Sequence, residues 1–463
     1  MHPSPPRPDP VLDVLGGKRL SGTVATSGFK HSLVTLAGAA AVADAPVRID
    51  NCPDIVETDV LSGLFRSLGG RATRTGDSLT LDASGFGGGR AADVPADLAT
   101  RIHGSSYLLT GLLARHGAAR MPASGGCRIG EGPQGRPVEH FLSILERFGA
   151  RGRIADDGAL EVRAERLLPC TVDLLDYTRN RALMSGPQYG GATKTALLAA
   201  VMAEGTSTLR HLYPKPDVTD LVEVLRALGA DIEDDGPETL VVRGRGPGSL
   251  RRAAAHTLMP DLIEIITWVC VAVTLADGPL RATGPGMARA VRALRPEFDL
   301  FDRMGVELSV GDGELLVHPA ERPLRPVEFT AASRSVFSDS QPFFALLGAL
   351  AEGPTTITEA VWENRYGYVP GLIALGMRAT QDGRVLRVDG PCPPRLPGRT
   401  LTGTDLRASA ALLLAALAVP GRTLLHGGHH LDRGYRDLPG DLRSLGADIA
   451  AVAGPADAPP SAG

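Results

Sequence analysis

Cys127 stands in Ser124-Gly125-Gly126-Cys127-Arg128, with glycines before it and the arginines Arg128 and Arg136 after it. An exposed thiol beside guanidinium groups has a lowered pKa, so Cys127 reads as a reactive cysteine. Arg365 in WENRYGY, Arg407 in GTDLRAS and Arg433 in LDRGY each sit beside a turn rather than along a helix face. Lys30 follows a Ser-Gly turn in ATSGFKHS and opens an apolar helix. A cation at a helix N-terminus favours an anion, and arginine forks match carboxylate and phosphate. Together these residues suit a small polyanionic ligand. Asp339 in SVFSDSQPF and Asp405 are the nearby acids. Asp405, two residues before Arg407, is either part of the chemistry or the structural partner of that arginine.

A repeat must position these groups. An apolar-x-x-apolar-Gly-small signature closes a helix and enters a strand six times, in LFRSLGGRAT, ILERFGARGRI, VLRALGADIE, LFDRMGVELS, LIALGMRAT and LRSLGADIAA. Its glycines are Gly69, Gly149, Gly229, Gly305, Gly376 and Gly446. A fixed period of roughly 75 residues implies one α/β unit used six times, arranged as two halves of three. Glycine just past a helix is its left-handed stop, and the alternating residues after it read as a strand. The second copy is longer than the others, and its additional residues fall in ASGGCRIGEGPQGRPVEH. A long glycine-rich insertion in a regular scaffold marks a functional loop.

Composition excludes several classes. The 463 residues are 43% apolar and 22% charged, with 48 basic against 52 acidic side chains. That is globular composition with no polybasic surface for nucleic acid or membrane. Only four lysines occur, Lys18, Lys30, Lys194 and Lys215. The five cysteines are scattered, without a C-x-x-C pair, so neither a disulfide framework nor a zinc site is expected. The N-terminus lacks the apolar core of a secretory signal and no stretch is long enough to span a membrane, so a cytoplasmic protein is expected.

SGGC followed by RPV, then ENR, TDLRAS and DRGY in this order, resemble the enolpyruvyl transferases. The resemblance runs from about Val14 to Val452, and it is closer to the UDP-N-acetylglucosamine branch than to the shikimate branch, which has no reactive loop cysteine. It implies an α/β fold of six βαβαββ units in two globular inside-out barrels. One half would be residues 31–258, carrying the cysteine loop at about 121–137. The other would be 12–30 plus 259–452, with disordered tails at 1–11 and 453–463. It implies further that Lys30, Arg136 and Arg433 bind the phosphate of phosphoenolpyruvate while Arg365 and Arg407 hold its carboxylate. Cys127 would protonate the enol methylene carbon and would be the target of fosfomycin. Asp339 would accept the proton of the attacking hydroxyl. Phosphoenolpyruvate carries its own leaving group, so no cofactor or metal is expected.

The departures concern the acceptor. Where the cell-wall branch has Lys-Asn, this chain has Lys30-His31. Where that branch has Lys-Val-Ser-Val-Gly-Ala-Thr around the acceptor diphosphate, this chain reads Pro187 to Thr193 without the lysine and serine. Its Pro-Asp-Arg motif is here Pro260-Asp261-Leu262. By contrast Arg136, Pro137, Val138 and Glu139, which in the family cradle the uracil, are kept. His31, Asp339 and Arg101 complete the expected acceptor set. The pattern favours a uridine nucleotide other than UDP-N-acetylglucosamine, as in the family members of peptidyl-nucleoside antibiotic pathways that act on the 3′-hydroxyl of UMP. The cell-wall reaction and a non-catalytic binding homologue are the alternatives.

Overall fold

The helices Lys30–Val42, Gly190–Met202, Leu262–Leu275 and Leu406–Ala418 are apolar on every side, which requires that they be enclosed. The structure, a computed structural model, describes residues 11–87, 92–123, 125–126, 129–130, 137–184, 186–320 and 323–452. In it the Lys30 and Gly190 helices pack with Leu109–His116 as one triplet. The Leu262 and Leu406 helices pack with Gln341–Gly348 as another. Six four-stranded sheets surround the two triplets. The helices are inside and the sheets outside, the inverse of an ordinary α/β barrel.

Each sheet has the same order. Thr171–Asp173 runs parallel to Glu204–Arg210, which pairs antiparallel with Thr239–Arg245, itself hairpinned to Asp231–Asp234. With helices Gly190–Met202 and Pro216–Leu228 between the strands, this is one βαβαββ unit. The six repeat glycines all have positive φ, from 87° at Gly149 and Gly305 to 109° at Gly446, as a left-handed helix stop requires. The N-terminal strand Val11–Gly16 completes the last unit by pairing with both Gly421–His426 and Asp448–Val452. Val11, placed in the tail from the sequence, therefore opens a strand, because its buried side chain and its pairing with Val452 hold it in the sheet. The remaining tail residues, 1–10 and 453–463, lie outside the described residues.

Two more units are built from distant pieces. Leu20–Ala25 lies parallel to Ala276–Thr283, and Ala254–Thr257 lies parallel to Val47–Asp50. The chain thus leaves one half after Ala25 and returns after Thr257. One core runs from Leu33 to Leu258. The other takes Leu12 to Phe29, Ile129, and Met259 to Ile449. We propose the division into 31–258 and 12–30 plus 259–452 on the basis of these cores. Among the described residues no helix is long and apolar enough to cross a membrane.

The two crossing segments are bonded to each other. Phe29 N–H donates to Met259 O at 2.9 Å and Asp261 N–H to Ser27 O at 2.7 Å. Asp261 then caps two helices at once. Its Oδ1 accepts from the N–H groups of Ile263 and Glu264, and its Oδ2 accepts from Lys30 N–H at 3.0 Å. Gly28 has to be glycine, since a Cβ there would lie 1.8 Å from Asn51 O.

Glu264 accepts from Ser27 N–H at 3.0 Å within this crossing. Burial, reinforced by Asp261, pushes its carboxyl up to about 8. A carboxyl raised in the folded state binds more protons than in the unfolded chain, so its contribution declines as pH rises from the ordinary glutamate range toward 8. Glu264→Gln cannot ionise and escapes that decline. In thermal melts, the Tm of Glu264→Gln relative to wild type should be higher at pH 8.5 than at pH 5.5. A difference that is flat or falls with pH contradicts the assignment.

Candidate active site

The helices that open at Lys30 and Leu406 start at one cavity, where their dipoles favour negative charge. Lys30 is the first residue of its helix, Leu406 and Arg407 open another, and Asp339 lies two residues before Gln341. These residues line one narrow cavity together with Glu57, His31, Arg365, Asp405 and Arg433.

Lys30, Arg365, Arg407 and Arg433 meet there, and three carboxylates hold them. Glu57, on helix Val56–Ser67, is 1% exposed and accepts from both Lys30 Nζ at 2.8 Å and Arg433 Nη2 at 3.2 Å. Lys30 Nζ also donates to Arg433 O. Asp339 bridges the other two: Arg365 Nη2 donates to its Oδ1 at 2.7 Å and Arg407 Nε to its Oδ2 at 3.1 Å. Asp405 resolves the choice that the sequence left open. It caps the Leu406 helix through Arg407 and Ala408 N–H, and its side-chain partner is Arg365, at 3.1 Å, rather than Arg407. Arg407 Nη1 is buried without a hydrogen-bond partner, one donor left over for a ligand.

A wider cavity adjoins this one and shares His31, His103, Tyr107, Lys194 and Asp339 with it. His31 Nε2 lies 3.9 Å from Asp339 Oδ2 and its ring meets Phe29 edge-on. Desolvation holds the His31 pKa below the usual imidazole value, against the pull of Asp339 and Asp217. The far wall is aromatic. His140 stacks on Tyr189 at 5.0 Å, and Tyr189 meets Trp362 at 5.8 Å. Burial, with Arg179 adding to it, pushes the His140 pKa down to about 3, so that ring is neutral.

The structure brings Lys30, His31, Asp339, Arg365, Arg407 and Arg433 together as the sequence expects. Pro137 is buried, Val138 packs on the first core, and Glu139 opens helix Glu139–Arg147, whose His140 reaches the wider cavity. Arg101 is not brought in. It is exposed and lines neither cavity, because the short helix His103–Leu108 presents His103, two residues on, to the cleft instead. Cys127 and Arg136 lie outside the described residues. The described residues around Cys127 lie at the cleft: a Cβ on Gly125 would fall 1.5 Å from Thr100 O, and one on Gly126 3.2 Å from Arg433 Nη2. On the other side Gly130 N–H donates to Glu363 O across the cleft, and Ile129 is buried in the second core. Glu57, His103, Lys194 and the aromatic wall were not singled out as site residues from sequence. Of these only Lys194 carried a signal, as one of four lysines.

A family profile described as EPSP synthase (3-phosphoshikimate 1-carboxyvinyltransferase) matches residues 14–442. The chain is 33% identical over 439 residues to a UDP-N-acetylglucosamine 1-carboxyvinyltransferase 2 of Mesorhizobium japonicum, covering 95% of this chain and 98% of that one. It is 34% identical over 438 residues to a UDP-N-acetylglucosamine 1-carboxyvinyltransferase 3 of Caldanaerobacter subterraneus, covering 94% and 98%. Its structure is similar to the crystal structure of the enolpyruvyl transferase NikO from Streptomyces tendae, with a TM-score of 0.91, 60% identity, and coverage of 97% and 100%. An EPSP synthase from Acinetobacter baumannii shares the fold at a TM-score of 0.70 and 17% identity, over 96% and 100% of the two chains.

Removing one partner of a buried ion pair costs about 3–5 kcal/mol because the remaining charge is uncompensated. Glu57→Gln leaves Lys30 and Arg433 in that position. Denaturant unfolding in anion-free buffer should show a loss of that size, and added inorganic phosphate should restore more stability to the variant than it adds to wild type. Equal effects of phosphate on the two proteins would show that Glu57 does not neutralise an anion site.

Proposed function

The chain belongs to the EPSP synthase family and is an enolpyruvyl transferase, and from that premise we propose that it transfers the enolpyruvyl group of phosphoenolpyruvate to the 3′-hydroxyl of UMP. The observation that carries the reading is the pairing of two cavities across one shared wall. The narrow one gathers Lys30, Arg365, Arg407 and Arg433, and the wider one ends in aromatic rings. The first fits a compact trianion, and the second fits a nucleoside. The 60% identity to the enolpyruvyl transferase NikO, against 33–34% to UDP-N-acetylglucosamine carboxyvinyltransferases, supports an acceptor outside the cell-wall branch.

In this reading Arg365 and Arg407 take the carboxylate of phosphoenolpyruvate, while Lys30, Arg433 and Arg136 take its phosphate. The incoming carboxylate displaces Asp339 from the two guanidinium groups and frees it to act on the acceptor. Asp339 removes the proton of the 3′-hydroxyl as that oxygen bonds to C2 of phosphoenolpyruvate. Cys127 delivers a proton to C3, which becomes a methyl group. The tetrahedral adduct then loses phosphate from C2 and a proton from C3, leaving an enol ether on the nucleotide. The cations stabilise the charge on the departing phosphate. The acid and the base serve opposite partners of the new bond, as the addition requires.

The 33–34% identity to UDP-N-acetylglucosamine carboxyvinyltransferases favours a second reading, in which that sugar nucleotide is the acceptor. Mass spectrometry of phosphoenolpyruvate mixed separately with UMP, UDP-N-acetylglucosamine and shikimate 3-phosphate separates the two. The proposal expects an enolpyruvyl product on UMP alone. A product on UDP-N-acetylglucosamine alone establishes the second reading.

Two further outcomes test the assigned roles. Fosfomycin should alkylate Cys127, located by peptide mapping, and Cys127→Ala should be inactive and unlabelled. Labelling elsewhere would remove Cys127 from the mechanism. Asp339→Asn should lower kcat by about 10²–10⁴-fold if Asp339 is the base. An unchanged kcat would assign the proton to another group.

A further inference from the structure

We infer that Lys194 anchors a phosphomonoester on the acceptor, so that the wider cavity selects a nucleoside monophosphate over the free nucleoside. The inference rests on the uridine-nucleotide reading and adds the group that holds the phosphate.

Lys194 lies in the wall shared by the two cavities, in the first turns of helix Gly190–Met202, with its side chain 5% exposed. The proposed chemistry on phosphoenolpyruvate uses Lys30 and the arginines and leaves Lys194 without a task. Among the described residues, Lys194 Nζ pairs with Asp217 and donates to Tyr107 Oη at 3.5 Å. An ammonium carries three donors, so one remains for a ligand in the cavity. Desolvation opposes the charge, but Asp217 and Tyr107 outweigh it and raise the pKa, so the group is a cation when the ligand arrives.

The surroundings of Lys194 suit an oxyanion. Gly190 and Gly191, at the N-terminus of the same helix, line the cavity with no side chain to cover the first N–H groups. A second, independent feature also points to a ligand. His140 is 8% exposed, lines the same cavity, and has no hydrogen-bond partner at either ring nitrogen. Its Nε2 is aimed at this helix end, where a Cβ on Gly191 would be only 2.5 Å away. A buried polar ring with both nitrogens unsatisfied is costly unless a ligand completes it. The 3′-hydroxyl would then face Asp339 in the shared wall, with the base toward Tyr189 and Trp362.

The test compares kcat/KM for UMP and for uridine in wild type and in Lys194→Met. A charge-assisted hydrogen bond predicts that wild type prefers UMP by about 10–100-fold. Lys194→Met should lose that preference, kcat/KM for UMP falling through a raised KM by about 10–100-fold more than kcat/KM for uridine. Because Lys194→Met leaves Asp217 unpaired, the neutral pair Lys194→Gln with Asp217→Asn is the second variant, and it too should lose the preference. Retained preference in a folded variant, or an equal loss on uridine, overturns the inference while leaving the reading of UMP as acceptor intact. A wild type that transfers to UDP-N-acetylglucosamine and not to UMP overturns that reading and the inference together.

Discussion

Lys30, Arg365, Arg407 and Arg433, directed into one narrow cavity, cannot remain there without anions. Arg365 and Arg407 are almost fully buried, and isolated buried charges of this kind cost several kcal/mol each. The empty protein meets the requirement from its own sequence. Glu57 serves Lys30 and Arg433, Asp339 serves Arg365 and Arg407, and Asp405 backs Arg365 from behind. The rest of the architecture delivers these seven residues to one place. The helices that open at Lys30 and Leu406 start at that cavity, and the paired crossing at 26–29 and 258–261 fixes Lys30 through the carboxylate of Asp261.

This arrangement links substrate binding to catalysis. While Asp339 lies between two guanidinium groups, both its oxygens are engaged and it is a poor base. A carboxylate of the substrate has the same charge and the same bidentate geometry, so it can take the place of Asp339 without leaving either arginine unpaired. In the proposed mechanism the base becomes available only when the electrophile is in place, which protects against proton transfer in an empty site. The described residues that flank Cys127 meet both walls of the cleft. Gly126 lies against Arg433 on one wall, and Gly130 is bonded to Glu363 on the other.

The repeat was legible because its signal is local. A glycine that must adopt positive φ at each helix end marks the period, and the apolar helices show no polar face. The anion cluster was legible for a related reason, since cations at turns and helix starts stand out from cations on helix faces. Glu57 was not legible: in ETDVLSGLF it looks like any first-turn acid, and only the packing of its helix against the segment bearing Arg433 turns it inward. Arg101 failed for the reverse reason. Its type suited the site, but a turn of helix placed His103 there instead. The acceptor cavity was read from what its segment lacks, Pro187 to Thr193 having no lysine. Lys194, which does line that cavity, comes one residue after the segment, in helix Gly190–Met202.

The central claim is that Asp339 and the carboxylate of phosphoenolpyruvate compete for the same two guanidinium groups. Calorimetric titration of phosphoenolpyruvate into wild type and Asp339→Asn, with no acceptor present, tests it directly. The asparagine variant has lost the competing charge, so the account predicts a lower Kd for phosphoenolpyruvate in a protein whose turnover is impaired. An unchanged or higher Kd would contradict it, and would mean that Asp339 supports the substrate site rather than occupying it.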